Sequence, residues 1–215
     1  MRHKIVPLLL ILLCSNIIYA GNFDRRIAAL MFTGNDNSLV FEMRLYYDAK
    51  GNLVKVKQFN HLMKFIGYEE YFYDSENRKI RENIFDSQRV QQKYTLIEYA
   101  EGIRIATVYN MDGRVIMTIE TEYDKSGRVK RIVEYTAGKE SVSVSKYHYY
   151  DSRRIRCTRD LPVDGHDYYY IIQLGRNGML DRVDYFRKNG TRAGYVRIVP
   201  EDGIMTSHSL NDIIF

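Results

Sequence analysis

The chain has 215 residues and a formal charge of +5, from 32 basic and 27 acidic side chains. This mild basic excess does not by itself indicate an anionic partner such as nucleic acid. The two cysteines are Cys14, near the N-terminus, and Cys157. A lone cysteine in the body of the chain excludes an intrachain disulfide there, and we expect Cys157 to be a buried small hydrophobic residue.

The first twenty residues predict a signal peptide. Residues 2–4 are basic, residues 5–13 are apolar, and the small residue Ala20 precedes Gly21. This is the layout of a cleaved secretory leader, and its apolar centre is too short to span a bilayer. We therefore expect residues 1–20 to be a signal peptide and residues 21–215 to form a single β-hairpin repeat domain.

Cys14 leaves a second processing route open. It follows the apolar stretch, where a lipoprotein would be acylated, although Leu13 is larger than the residue that usually precedes a lipidated cysteine. Either route predicts an exported protein that is periplasmic, outer-membrane associated or extracellular.

One segment after the leader has the pattern of a helix. Asp24 is a candidate cap, Ile27, Leu30 and Met31 share a helical face, and Gly34 ends the pattern. We expect a short N-terminal helix of two to three turns that covers one end of a sheet.

A turn unit of Tyr, Asp or Asn, two variable residues and Gly recurs along the chain. The complete copies are residues 47–51, 109–113 and 123–127, and degenerate copies are residues 73–77, 150–153 and 186–190. In such a unit the Asp side chain bonds the turn backbone, and Gly adopts the left-handed conformation that closes a bulged hairpin. Asn77 replaces Gly in one copy, and Asn is the next best residue for that conformation.

Runs of β-forming residues follow these turns, at residues 52–59, 114–123, 128–135 and 179–186. The pattern predicts an all-β fold, an antiparallel meander of about ten to fourteen strands. We expect this sheet to curl as an open half-barrel or short solenoid with the one short N-terminal helix.

The turn unit resembles the YD-repeat (Rhs-type) family, in which Tyr-Asp is followed by a short gap, Gly-Arg or Gly-Asn, and a strand. Residues 123–129 match that pattern best and residues 47–53 are nearly as close, while residues 185–195 are similar to MORN-variant repeats of bacterial envelope proteins. The resemblance covers residues 46–195. It implies a scaffold, a shell or an adhesive surface.

No catalytic, cofactor-binding or metal-binding residues are predicted, and no cofactor is expected. His61, His148, His166 and His208 have no metal-ligand spacing. The carboxylate pairs Glu69-Glu70 and Glu120 with Glu122 are interpreted as solvated charges along strands. We therefore expect a protein that is not an enzyme.

A basic run at Arg153, Arg154, Arg156 and Arg159 follows three tyrosines. On a strand, Arg154 and Arg156 share a face, so an anionic lipid headgroup or glycan is one interpretation. The other interpretation is a solvated sheet edge that discourages strand addition. The leader argues against nucleic acid.

The chain contains 19 tyrosines and no tryptophan. Tyrosines at one position of successive hairpins stack as a ladder, and adjacent tyrosines such as Tyr168 to Tyr170 point to opposite faces of a strand. The leading hypothesis is a non-enzymatic exported envelope protein in which outward tyrosines, including Tyr168 or Tyr170, bind a protein or glycan partner. The alternative is a periplasmic carrier that holds a lipid or another apolar ligand in the half-barrel. The oligomeric state stays open.

Overall fold

The computed structural model describes residues 27–151, 153–160, 168–175 and 180–200. The predicted signal peptide, Cys14, His166 and His208 lie outside the described residues.

The described residues form fourteen β-strands and no helix. The strands are β1 (Ile27–Gly34), β2 (Leu39–Tyr47), β3 (Leu53–Asn60), β4 (Phe65–Tyr73), β5 (Lys79–Asp86), β6 (Gln91–Ala100), β7 (Ile103–Asn110), β8 (Val115–Tyr123), β9 (Val129–Thr136), β10 (Ser141–Tyr149), β11 (Arg154–Asp160), β12 (Tyr168–Leu174), β13 (Leu180–Arg187) and β14 (Arg192–Pro200). Each strand pairs antiparallel with its neighbours along the chain.

The sheet closes into a barrel because β1 pairs with β14 as well as with β2. Leu30 lies opposite Ile198, and Phe32 lies opposite Val196. The predicted all-β antiparallel meander is present, but the predicted open half-barrel or short solenoid is wrong. Closure gives both terminal strands a second partner and so removes the two unpaired edges of an open sheet.

The predicted N-terminal helix is also wrong, because Ile27–Gly34 is strand β1. Leu30 and Phe32 point into the barrel and are buried, and Thr33 lies on the opposite face of the strand. The short run satisfies a helical and an extended pattern equally well, and pairing with two strands decides between them.

The turns follow the predicted chemistry. Asp48 accepts hydrogen bonds from the backbone N–H (2.8 Å) and side-chain amide (3.0 Å) of Asn52, and Gly51 has a φ of 91°. Asn77 takes the same left-handed conformation with a φ of 59°, as expected. In the turn that contains Gly138, the left-handed residue is instead Lys139, with a φ of 65°. The four predicted strands match β3, β8, β9 and β13 to within one residue at each end.

The inward face carries the core. A larger apolar cluster joins β1–β4 to β11–β14 and contains Phe32, Met43, Val56, Cys157 and Ile172. A smaller cluster on β6–β9 contains Ile97, Ala106, Val108, Ile119 and Ile132. Cys157 is fully buried, as predicted, and burial raises the pKa of its thiol to about 12.

Inward tyrosines tie neighbouring hairpins together at one rim of the barrel. Each hydroxyl donates to a backbone carbonyl twenty residues earlier in the chain: Tyr73 to Leu53 (2.7 Å), Tyr99 to Lys79 (3.0 Å) and Tyr149 to Val129 (2.8 Å). We call this end, with the turns at residues 48–52, 74–78 and 124–128, the tyrosine rim. Each bond joins two paired strands, β4 to β3, β6 to β5 and β10 to β9, whose turns at this rim belong to different hairpins. The bonds therefore fix neighbouring rim turns relative to each other in addition to the ladder bonds.

The same turn unit places its aromatic residue on the other face at the opposite rim. Tyr109 points outward and stacks on Tyr94 at 5.0 Å between ring centroids, and Phe186 stacks on Tyr169 at 4.8 Å. The unit therefore encodes the turn, while strand parity decides whether its ring is buried.

We predict that Tyr73→Phe lowers the free energy of unfolding by about 1 kcal/mol, because it leaves the Leu53 carbonyl without its hydroxyl donor. Tyr109→Phe is the matched control, since that ring stacks outward at the other rim. Urea denaturation measures both. Equal effects of the two substitutions would contradict the bridging role of the inward tyrosines.

Candidate functional site

A cavity of about 140 Å³ lies inside the barrel against β5–β8. One part of its wall is charged and is formed by Lys79, Glu82, Lys93 and Arg104. The remaining wall is mostly apolar and includes Ile84, Ile97, Ala106, Val108, Met117 and Ile119. The cavity is thus amphiphilic, with charged groups next to a smooth aliphatic surface.

Glu69 is buried beside this cavity. Its carboxylate accepts hydrogen bonds from the Tyr71 hydroxyl (2.6 Å) and the Gln58 side-chain amide (2.7 Å). Burial, with repulsion from Glu82, raises the pKa of Glu69 to about 7. The interpretation of Glu69 as a solvated strand charge is therefore wrong, because its neighbour Glu70 is the outward member of the pair and bonds Lys55 at 2.9 Å.

Lys79 and Glu82 form an ion pair in the cavity wall, with 3.3 Å between Nζ and Oε2. Burial lowers the pKa of Lys79, and the negative charge of Glu82 opposes that shift. The two opposite charges compensate each other, so the pair adds little net charge to the wall.

Arg104 is a buried cationic residue of the cavity wall. It is 6% exposed, and its Nη2 donates to the Thr121 hydroxyl at 3.3 Å. Its buried Nε makes no hydrogen bond within the part of the chain that the structure describes, and no described carboxylate forms an ion pair with it. A guanidinium stays protonated when buried, so this charge is incompletely compensated.

Arg159 shows how the same barrel treats a compensated buried arginine. Its Nη2 bonds both carboxylate oxygens of Glu134, at 3.1 and 3.0 Å, and the Ser143 hydroxyl at 3.2 Å. Both side chains are buried. Arg159 thus has a buried carboxylate partner, although its Nε, like that of Arg104, makes no hydrogen bond within the described residues. Arg104 instead faces a cavity.

Arg154 and Arg156 of the predicted basic run lie on the opposite face of β11 from Arg159, because side chains alternate along a strand. Arg154 and Arg156 share the outward face as predicted, and their guanidinium groups lie over Tyr150 and Tyr169 at 5.2 and 4.5 Å. They do not line a sheet edge, because β11 pairs with both β10 and β12.

The remaining sequence candidates do not assemble into a site. His61 lies in an exposed turn, and His148 packs against Tyr150 at 4.8 Å. Within residues 27–151, 153–160, 168–175 and 180–200, no three potential metal ligands cluster. Tyr170, predicted to point outward, is 4% exposed and belongs to the larger core cluster.

Sequence reasoning missed the cavity residues, although a signal for them exists. Lys93 is in phase with inward Thr95 and Ile97 along β6, and Arg104 is in phase with inward Ala106 along β7. A charged residue in phase with the buried positions of a strand indicates an internal polar site.

The outward face is rich in charge along the middle of the strands. Its members include Lys55, Lys57, Glu70, Arg81, Glu120, Arg131, Lys146, Arg156 and Arg182. The lipid-facing surface of a membrane-spanning barrel is instead an apolar band, and its lumen is polar. The outer wall of this barrel has the composition of a surface in contact with water.

No family model matches the chain, and no curated protein matches it. The resemblance to YD-repeat and MORN-variant proteins therefore stays a prediction. No helix of the described residues is long and apolar enough to cross a membrane.

Solved structures give distant likenesses. A porin-like protein from Bacteroides vulgatus has 10% identity and a TM-score of 0.45, over 80% of this chain and 97% of that one. A porin-like protein from Bacteroides uniformis has 12% identity and a TM-score of 0.45, over 81% and 98%. A TcdB2-TccC3 structure has 12% identity and a TM-score of 0.26, over 75% of this chain and 10% of that one. These TM-scores are too low to transfer a function.

We predict that Glu69→Gln removes a pH dependence of stability. The pKa of Glu69 is about 7 in the folded protein against 4.5 for an unperturbed glutamate carboxyl, so the folded state binds more protons between these values. Stability from this group is therefore present at about pH 4.5 and is lost as the pH rises to about 7, by roughly 3 kcal/mol in total.

Urea denaturation at about pH 5 and about pH 8 measures this effect. The wild type should lose more stability between the two conditions than Glu69→Gln, which keeps the shape of the side chain. Glu70→Gln is the control and should behave like the wild type. Parallel pH profiles for wild type and Glu69→Gln would contradict the buried state of this carboxyl.

Proposed function

We propose that this protein is a non-enzymatic, exported binding protein that carries a small anionic amphiphile inside its barrel. The ligand class is a carboxylate on a short apolar chain. The observation that carries the proposal is Arg104, a buried guanidinium that lines an amphiphilic cavity without a carboxylate partner. This develops the apolar-ligand carrier, with a closed barrel in place of the half-barrel.

The two ends of such a ligand fit the two parts of the wall. A carboxylate beside Arg104 would accept charge-assisted hydrogen bonds and compensate the buried charge. The chain would lie against Ala106, Val108 and Ile119, where apolar contact contributes about 0.8 kcal/mol for each buried CH₂ group. The small volume favours a short chain over a membrane phospholipid.

Two features support an aqueous part of the cell envelope as its place of action. The first twenty residues have the layout of a secretory leader. The outer wall carries charges such as Arg81 and Arg131 along the strands, which suits contact with water.

The ligand proposal is tested with hexanoate and its neutral counterpart hexanol, measured by titration calorimetry on the purified protein. We predict that the wild type binds hexanoate more tightly and that Arg104→Met loses at least about tenfold in hexanoate affinity while hexanol binding is retained. Ala106→Phe fills the cavity and should abolish binding of both compounds.

Measurements of the free energy of unfolding distinguish a binding role of Arg104 from a structural one. Arg104→Met should leave the free energy of unfolding of the ligand-free protein unchanged or higher, because a poorly compensated buried charge is removed. Arg159→Met should lower it by about 3 to 5 kcal/mol, because Glu134 is left buried without its partner. Failure of the wild type to bind hexanoate, or equal binding by Arg104→Met, would overturn the proposal.

A second candidate is recognition of an envelope protein or glycan by the outward tyrosines. It is favoured by the stacked rings of Tyr94 and Tyr109, with the guanidinium of Arg81 5.1 Å from the Tyr94 ring. Tyr94 lies between the Tyr109 ring and the Arg81 guanidinium, so the pair would present its ring edges and the far face of Tyr109 to the apolar face of a sugar ring.

A glycan array tests this candidate. Tyr94→Ser with Tyr109→Ser should abolish a glycan signal that the wild type gives, and hexanoate binding should stay unchanged. An array signal that survives the double substitution would assign recognition to another surface.

A further inference from the structure

The two rims of the barrel differ in the residues at their turn tips. At the tyrosine rim the tips are small or charged, as in Ala49-Lys50, Ser75-Glu76 and Lys125-Ser126. At the opposite rim, the hairpins β3–β4, β5–β6 and β7–β8 carry large apolar residues at or beside their tips: Leu62, Met63, Val90 and Met111. We call these four residues the apolar rim.

The apolar rim is exposed. Leu62, Val90 and Met111 are 62%, 54% and 52% exposed, and Met63 is 44% exposed. The three hairpins are neighbours in the barrel. Strands lie roughly 4.8 Å apart, so adjacent hairpin tips are about 10 Å apart and form a row of separate apolar points.

Met63 is unfavourable for local folding. It has a φ of 58°, in the left-handed region that other turns of this barrel fill with Gly113, Asn77, Arg89 or Lys139. Among the described non-glycine residues in this conformation, Met63 is the one with an apolar side chain, and it gains little burial there. Its position instead suits a contact outside the molecule.

The turns that carry the apolar rim contain both basic and acidic residues. Lys64, Arg89 and Arg114 are exposed in the same three turns. Asp86 accepts hydrogen bonds from the backbone N–H groups of Gln88 and Val90, both at 2.9 Å, so its charge is directed into the turn. Asp112, beside Met111, is also exposed, and its carboxylate accepts a hydrogen bond from the Asn110 side-chain amide at 3.4 Å. The three basic residues outnumber Asp86 and Asp112, so the net charge next to the apolar points is positive.

We infer that the apolar rim docks on the surface of a bilayer that contains anionic lipid. Separate apolar side chains on convex tips insert among acyl chains, and adjacent basic residues attract the headgroups. The barrel wall stays in water because its outward strand residues are charged.

One end of the cavity lies at the same rim. Ile116 lines the cavity, is 44% exposed and follows the β7–β8 turn that carries Met111. A docked barrel would therefore hold this end of the cavity next to the bilayer, where an amphiphilic acid partitions. Docking itself depends on the rim alone and goes beyond the proposed ligand.

The test is flotation of the purified full chain with vesicles of phosphatidylcholine, with and without phosphatidylglycerol. The rim variant combines Leu62→Ser, Met63→Asn, Val90→Ser and Met111→Ser. We expect the wild type to float with the mixed vesicles and the rim variant to lose at least tenfold in partitioning. Lys64→Gln, Arg89→Gln and Arg114→Gln together should reduce binding to the level seen with phosphatidylcholine alone.

The control removes exposed apolar surface from the barrel wall, through Phe72→Ser with Leu96→Ser, and should bind vesicles like the wild type. Thermal unfolding shows whether each variant is folded. The inference is overturned if the wild type does not float. It is likewise overturned if the rim variant floats like the wild type, or if the folded wall control does not float. It is also overturned if the rim substitutions abolish a dimer in solution instead, which would assign the rim to a second copy of the chain.

Ala106→Phe separates this inference from the proposed ligand. It blocks the cavity while leaving the rim intact, so it should float like the wild type. If the wild type binds hexanoate but does not dock on vesicles, the docking inference is overturned. If it docks but does not bind hexanoate, the proposed ligand is overturned.

Discussion

The pairing of β1 with β14 is the constraint on which the rest of the structure depends. Leu30 and Phe32 face Ile198 and Val196 across this seam, and the same two residues face Met43 and Phe41 on the other side. Once the seam is closed, the alternation of every strand defines an inside and an outside. A charged residue at an inward position must then find a partner within the barrel.

The interior solves this requirement in two ways. At β9–β11, Arg159 bonds Glu134 and Ser143, so its charge has a carboxylate partner within the barrel. At β5–β8, Arg104 borders a cavity whose remaining wall is largely aliphatic. The difference between two buried arginines in one barrel is the physical basis for treating the second region as a binding site. Stability alone would favour the first arrangement everywhere.

Local features of the fold could be predicted from the sequence because short-range chemistry determines them. The Asp48 turn, the left-handed Asn77, the strand bounds and the burial of Cys157 follow from residues that are adjacent in the chain or from simple hydrophobicity. Closure could not be predicted, because it joins residues 27–34 to residues 192–200. The helix prediction failed for the same reason, since the second strand partner of Ile27–Gly34 is remote in sequence. Sequence alone does not distinguish Glu69 from Glu70, because both are acids and only the alternation of side chains along β4 assigns one of them to the interior.

Hydrogen exchange of backbone amides, followed by NMR, tests closure of the barrel most directly. In a closed barrel, β1 and β14 have a hydrogen-bonded neighbour on each side, so the N–H groups that point to either side of these strands are protected. The slowest amides around Phe32 and Val196 should therefore exchange with free energies close to that of global unfolding. Rapid exchange along β1 or β14, with protection confined to the central strands, would show an open sheet. Such a result would contradict the enclosed interior and the cavity that depends on it.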